Sequence, residues 1–158
     1  MLSVAMGVFL GTIDGSIVNV ALPTLVEKLD TSFATVQWVV ISYLLVITAL
    51  MLGVARLADM IGKKRVYLPG MALFTAASVL CGLSPSVGFL IGFRALQGIG
   101  AAMMMALGMA IITEAFPPNE RGRALGISGT VVSVGISIGP TLGGLLIGTV
   151  GWRAIFLV

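Results

Sequence analysis

Five long apolar runs, each close to the length needed to cross a bilayer, constrain this chain more than any other feature. They cover roughly residues 2–22, 34–58, 66–84, 87–112 and 122–148, with short charged or Pro/Gly-containing segments between them. A hydrocarbon core takes about 20 helical residues to span, and inside it the backbone must satisfy its own hydrogen bonds. The expectation is therefore an all-α, polytopic membrane protein with five complete transmembrane helices and a sixth starting near Ala154. With 58% hydrophobic residues, 9% charged residues and 21 glycines, the composition places the chain in that class. The first run lacks a basic leader and a cleavage site, so it reads as a spanning helix rather than a removed signal peptide.

The charges between the runs set an orientation. Arg56, Lys63, Lys64, Arg65, Arg121 and Arg123 fall on one side, against Lys28 and Arg153 on the other. The excess of basic residues marks the cytoplasmic side, which places the N-terminus, the 59–65 loop and the 114–123 loop there. The net charge of +3 is a topology signal confined to short loops and predicts no nucleic-acid partner. The lipid bilayer is the partner it does predict.

Two charges do not follow this pattern. Asp14 is the only Asp, Glu, Lys or Arg between Met1 and Val26, and Arg94 the only one between Val66 and Thr113. A charge in the middle of a membrane helix costs at least ~3 kcal/mol and by default marks a substrate or ion pathway. Counting ~1.5 Å of rise per residue on helices that run in opposite directions, the two fall at similar depth near the midplane. Pairing is within reach. Arg94, Gln97, Gly98 and Ala101 share one helical face by their spacing, so Asn19 and Gln97 become candidates to line a polar pocket.

Other chemistries are excluded. Histidine is absent and Cys81 is the single cysteine, which leaves no His/Cys metal set, no disulfide and no Ser-His-Asp or Cys-His arrangement. Gly62-Lys63-Lys64 lacks the glycine-rich loop and the Ser/Thr of a nucleotide-binding P-loop. No enzyme and no cofactor are expected, and transport, if it occurs, is driven by an ion gradient or another subunit. Gly7, Gly11, Gly15 and Asn19 recur every four residues, as do Gly135, Gly139 and Gly143. Such stripes allow helices to approach closely. Pro140 removes a hydrogen bond to the carbonyl of Ile136 and predicts a kink or loosening there.

Several segments resemble the major facilitator superfamily, and within it the fourteen-helix drug/proton antiporters. The run from Ile13-Asp14-Gly15-Ser16 to Leu22-Pro23 is similar to that branch's first-helix motif, and Gln37-Trp38-Val39 with Tyr43-Leu44-Leu45 to its second helix. Ala55 through Lys64 resembles the superfamily's motif between helices 2 and 3, with Ala55 and Met60 departing from the usual glycine and arginine. Leu90 through Gly100 resembles the fourth-helix motif around Arg94, and Gly135 through Gly144 the fifth-helix antiporter signature. A faint internal repeat aligns Leu57 and Gly62 with Leu146 and Gly151 at an offset of 89, as inverted three-helix repeats would.

The resemblance implies the N-terminal half-bundle of a transporter in the bacterial plasma (inner) membrane, working by alternating access with a proton gradient as its energy source. Asp14 and Arg94 take the proton-coupling role. Asp59, Gly62, Lys63 and Lys64 become a conformational latch against the missing C-terminal half, and Gly135, Gly139, Pro140, Gly143 and Gly144 the antiporter helix. The implied substrate is a small, amphipathic molecule exported against its gradient, as in multidrug efflux. Two alternatives stay open: Asp14 and Arg94 as a structural ion pair in a transporter of another molecule, and an inactive, truncated fragment.

Overall fold

The computed structural model describes residues 2–157, in five long helices. These are α1 (Leu2–Lys28), α2 (Phe33–Ile61), α3 (Lys63–Gly82), α4 (Val87–Ala115) and α5 (Pro118–Thr149). All five are long and apolar enough to cross a membrane. Most outrun the apolar runs of the sequence at one or both ends, because helical backbone continues past the hydrocarbon boundary where side chains no longer need to be apolar. Thus α1 passes through Pro23 to Lys28, and Lys63, Lys64 and Arg65 already belong to α3.

The connections are short. Gly62 alone separates α2 from α3, at φ +102°, and its N–H closes α2 by donating to the carbonyl of Ala58 at 2.9 Å. Only glycine adopts that backbone without strain. Ser32 caps α2, its hydroxyl accepting from the N–H of Thr35 at 3.2 Å. Pro118 takes the first position of α5, where its missing N–H costs nothing. After α5 the described chain forms a 3₁₀ turn, Trp152–Phe156, where the sequence suggested a sixth helix starting near Ala154. Gly151, at φ +110°, reverses the chain ahead of it, and i→i+3 bonds from Ala154 and Leu157 tighten it.

Helix α4 is the hub, packed against α2 and α3 and touching α1 and α5, while α1 pairs with α5. Glycines set these distances. A Cβ on Gly100 would lie 2.6 Å from the backbone nitrogen of Phe74 and 2.7 Å from the carbonyl oxygen of Gly70, so α3 and α4 meet backbone to backbone. A Cβ on Gly98 would lie 2.9 Å from the carbonyl oxygen of Tyr43, which draws α2 equally close to α4. Helices α2 and α5 are the least covered, each about 17% buried over its most apolar stretch against 50% for α4.

The interior divides into two apolar clusters. One gathers Val4, Ile47, Val66, Tyr67, Phe74, Met104 and Leu107, and the other Ile17, Val18, Leu25, Val36, Leu90, Trp152 and Phe156. Asp14 and Arg94 lie in sequence between the members that their helices give to each cluster.

Candidate functional site

Asp14 is 7% exposed and Arg94 fully buried. Nη1 of Arg94 donates to Oδ2 of Asp14 at 2.7 Å and to Oε1 of Gln97 at 2.7 Å, and Nε donates to the carbonyl of Val39 at 3.3 Å. The Gln97 amide completes a ring, since its Nε2 donates to Oδ1 of Asp14 at 3.1 Å. Each carboxylate oxygen thus receives one donor. The guanidinium lies 4.1 Å above the centre of the Tyr43 ring, with the Phe156 ring at 5.8 Å, and both aromatic faces favour a cation.

This arrangement follows from helix geometry. Arg94 and Gln97 are three residues apart on α4 and point to one side, and the close approach at Gly98 brings Tyr43 onto that face. Two ions taken from water into an apolar interior cost several kcal/mol each, and the cost is offset only where geometry and extra hydrogen bonds are good. Here the pair has both. Nη2 of Arg94 and the hydroxyl of Tyr43 are the buried side-chain polar atoms with no hydrogen-bond partner among the described residues. The guanidinium therefore holds an uncommitted donor.

The ring extends into α3 and the terminal turn. Nε2 of Gln97 also donates to the hydroxyl of Ser78 at 3.1 Å, which itself donates to the carbonyl of Phe156 at 2.8 Å. The Cys81 thiol donates to Oε1 of Gln97 at 3.7 Å. Beside Asp14 lies a cavity of about 120 Å³, lined by residues of α1, α3 and the terminal turn, among them Leu10, Phe74, Ser78 and Phe156. Neither Asn19 nor Gln97 lines it. Asn19 is exposed and donates back to the carbonyl of Gly15 at 3.0 Å, while Gln97 is fully buried in the ring.

The fifth-helix residues meet α1. A Cβ on Gly139 would lie 2.6 Å from the Ser16 hydroxyl, one on Gly143 would lie 2.8 Å from the side chain of Ile17, and one on Gly135 would lie 3.3 Å from Thr12. Gly144, rotated one residue around the helix, faces open space. Pro140 sits within a single continuous α5. The carbonyl it leaves without an intrahelical donor, that of Ile136, accepts from the Ser16 hydroxyl at 3.0 Å. On α1, the contact face toward α5 is Thr12, Ser16 and Ile17. Gly11 and Gly15 of the four-residue stripe have no neighbour within 4 Å of where a Cβ would be.

Asp59, Gly62, Lys63 and Lys64 are grouped at the α2–α3 turn, around an open groove of about 1010 Å³ that Arg65, Tyr67 and Glu114 also line. Asp59 and Lys64 are exposed, and Lys63 forms an ion pair with Glu114 that ties the start of α3 to the end of α4. The sequence did not single out Ser78 or the backbone carbonyl of Phe156, although Trp152-Arg153 and Ile155-Phe156 also resemble the antiporter branch. A serine in an apolar run looks like any other small helix residue, and a backbone carbonyl leaves no mark in sequence at all.

The sequence profile of the Major Facilitator Superfamily matches residues 4–158. The chain belongs to that superfamily. It is 42% identical over its whole length to the riboflavin transporter RibZ of Clostridioides difficile, covering 35% of that protein. It is also 42% identical to the multidrug resistance protein Stp of Mycobacterium tuberculosis, covering 30% of it. The tetracenomycin C resistance and export protein of Streptomyces glaucescens is 37% identical, with 29% of its length covered. The chain thus spans about a third of these relatives. Among solved structures, a bacterial homologue of the human lysosomal transporter Spinster, inward-facing and occupied, superposes with a TM-score of 0.85. That match is 23% identical and covers 99% of this chain and 39% of the other, so it speaks for the fold.

Proposed function

We propose that the chain is the N-terminal part of a proton-coupled efflux transporter that works by alternating access, with Asp14 as the proton carrier and Arg94 as the group that governs it. The buried Arg94–Asp14 pair, closed through Gln97, is the observation that carries this reading. A carboxylate facing a guanidinium keeps its charge, whereas the same group in a dry apolar site without its cation takes a proton. A conformational change that separates the two side chains converts one condition into the other and so moves a proton across the membrane with each cycle. The cavity beside Asp14 is the route by which the proton reaches it.

Three further elements complete the reading. The Asp59–Lys64 turn latches one conformation, the glycine face of α5 rides on α1 as the states exchange, and the exposed faces of α2 and α5 meet the rest of the transporter. The protein lies in the bacterial inner membrane with its N-terminus cytoplasmic, as the six basic residues on that side direct. Its substrate class is small and amphipathic, in line with the resistance and export names of two of its relatives. The energy source is the proton gradient, with no cofactor.

The test uses the transporter containing this chain, reconstituted in proteoliposomes under an imposed pH gradient. Asp14→Asn is expected to abolish uphill export while leaving downhill leak of substrate in place. Undiminished proton coupling in that variant sinks the assignment. The dense hydrogen bonding of Arg94 favours a second reading, a purely structural ion pair. Exchanging the two charges separates them: transport that survives the exchange supports structure, whereas a folded but inactive protein supports coupling.

A further inference from the structure

We propose that Ser78 is a positioning residue that ties the protonation state of Asp14 to the seating of the terminal turn, Trp152–Phe156. The inference rests on the reading of Asp14 as the proton carrier. Ser78 has one proton to give, and it goes to the carbonyl of Phe156 at 2.8 Å. Toward Gln97 it can therefore only accept, and it accepts from Nε2 at 3.1 Å. The other N–H of that nitrogen goes to Oδ1 of Asp14 at 3.1 Å. A directed chain results: the carboxylate of Asp14 orients the Gln97 amide, the amide orients the Ser78 hydroxyl, and the hydroxyl holds the Phe156 carbonyl.

The amide cannot turn over to break the chain. Flipped, Gln97 would present its oxygen to the carboxylate and its NH₂ to the Arg94 guanidinium, placing like partners together at both ends of the ring. Protonation of Asp14 removes this constraint. The bond from Gln97 loses its charge assistance, about half its strength, and the new carboxyl hydroxyl becomes a donor in place of an acceptor. With the amide released, Ser78 is free to turn back to its own helix, and the Phe156 carbonyl loses the Ser78 hydroxyl. Phe156, Ile155 and Leu157 line the same 120 Å³ cavity as Asp14 and Ser78, so a displacement of these residues is felt at the carboxylate's own cavity.

The other ionisable groups around Asp14 do not reproduce this link. Arg94 on α4, Tyr43 on α2 and Cys81 on α3 act on the same site electrostatically, and the Cys81 thiol reaches only Oε1 of Gln97. Arg153, on the turn itself, is directed to the Trp152 ring at 4.6 Å and the Ser84 carbonyl at 3.4 Å. Helix α5 carries no Asp, Glu, Lys or Arg between Ala124 and Thr149.

Trp152 reports on the turn, because its ring meets that of Phe156 edge-on at 6.3 Å. Trp38, and any tryptophan of the transporter outside this chain, is replaced by Phe so that Trp152 alone reports. The transporter containing this chain, in phosphatidylcholine nanodiscs, is followed across pH by Trp152 emission and by the infrared band of a protonated carboxyl that Asp14→Asn removes. The two signals are expected to change together. Ser78→Thr keeps the hydroxyl and keeps both changes; Ser78→Val, which has the same shape, keeps the infrared change and loses the Trp152 shift. Equal helicity by circular dichroism confirms that both variants are folded. A Trp152 shift that persists in Ser78→Val, or one absent from the parent chain while the carboxyl band titrates, overturns the role of Ser78 and leaves the proton-carrier reading intact. A carboxyl band that never appears overturns the proton-carrier reading and this inference with it.

Discussion

The ion pair can be dissected by a double-mutant cycle of Asp14→Asn and Arg94→Met. In Arg94→Met the carboxylate keeps only Gln97 as a donor, in a site that is 7% exposed. Removing one partner of a buried pair costs about 3–5 kcal/mol, and this site belongs at the upper end while the carboxylate stays charged. Asp14→Asn leaves the fully buried guanidinium without its counter-ion, and arginine cannot shed its charge, so this variant also costs about 3 kcal/mol, held to the lower end by Gln97, the Val39 carbonyl and the Tyr43 ring. In the double variant no net charge is stranded, and the two effects should fall short of additive by about 2–3 kcal/mol.

Steric-trapping unfolding in bicelles measures each corner of the cycle. Additive costs refute the claim that the pair is a coupled, charged unit.

Three other outcomes follow from the geometry. Gly100→Ala drives a methyl into the backbone of Phe74 and Gly70, which cannot rotate away, whereas Gly92→Ala meets nothing within 4 Å; thermal unfolding in detergent should show a loss of about 3 kcal/mol for the first and none for the second. Ser16→Ala should destabilise by about 1 kcal/mol in the parent chain but much less in a Pro140→Ala background, where the Ile136 carbonyl regains an intrahelical donor; equal losses in both backgrounds would count against the link. Glu114→Gln removes the partner of Lys63, and because Glu114 is exposed the change in unfolding should stay below about 1 kcal/mol and vanish in high salt.

Much of this fold was legible because a membrane reduces the choices available to a chain. Once water is absent, an apolar run of this length has to be a helix, and the charges around it fall at its ends. Helical rise alone puts Asp14 and Arg94 at similar depth, and the structure brings their side chains to 2.7 Å. The faint repeat at an offset of 89 also has a physical counterpart. It aligns Gly62 with Gly151, the two glycines with positive φ among the described residues, each turning the chain directly after a long helix. What sequence could not supply was which neighbour each small residue meets. Of the four-residue stripe on α1, Gly7 packs against Tyr67 and Met104, whereas the face toward α5 is formed by Thr12, Ser16 and Ile17, because the partner α5 already contributes the glycines and one flat surface is enough. Ser78 was invisible for a related reason: its importance lies in a carbonyl that it reaches from 78 residues away.

The location of the pair connects it to the whole bundle. The ring of Asp14, Arg94 and Gln97 draws on α1 and α4 directly, on α2 through the Val39 carbonyl and the Tyr43 ring, and on α3 and the terminal turn through Ser78. Helix α5 has no part in the ring, yet it is fastened to α1 two residues from Asp14, where Ser16 holds the carbonyl that Pro140 leaves free. Gly139 and Gly143 lie so close to Ser16 and Ile17 that not even a methyl group would fit between the two helices. Closely packed interfaces of this kind move between discrete arrangements rather than deforming continuously. Helices α2 and α5, the two most open faces of the bundle, are thus reached by the pair along separate routes, one through the cation and one through the carboxylate's own helix.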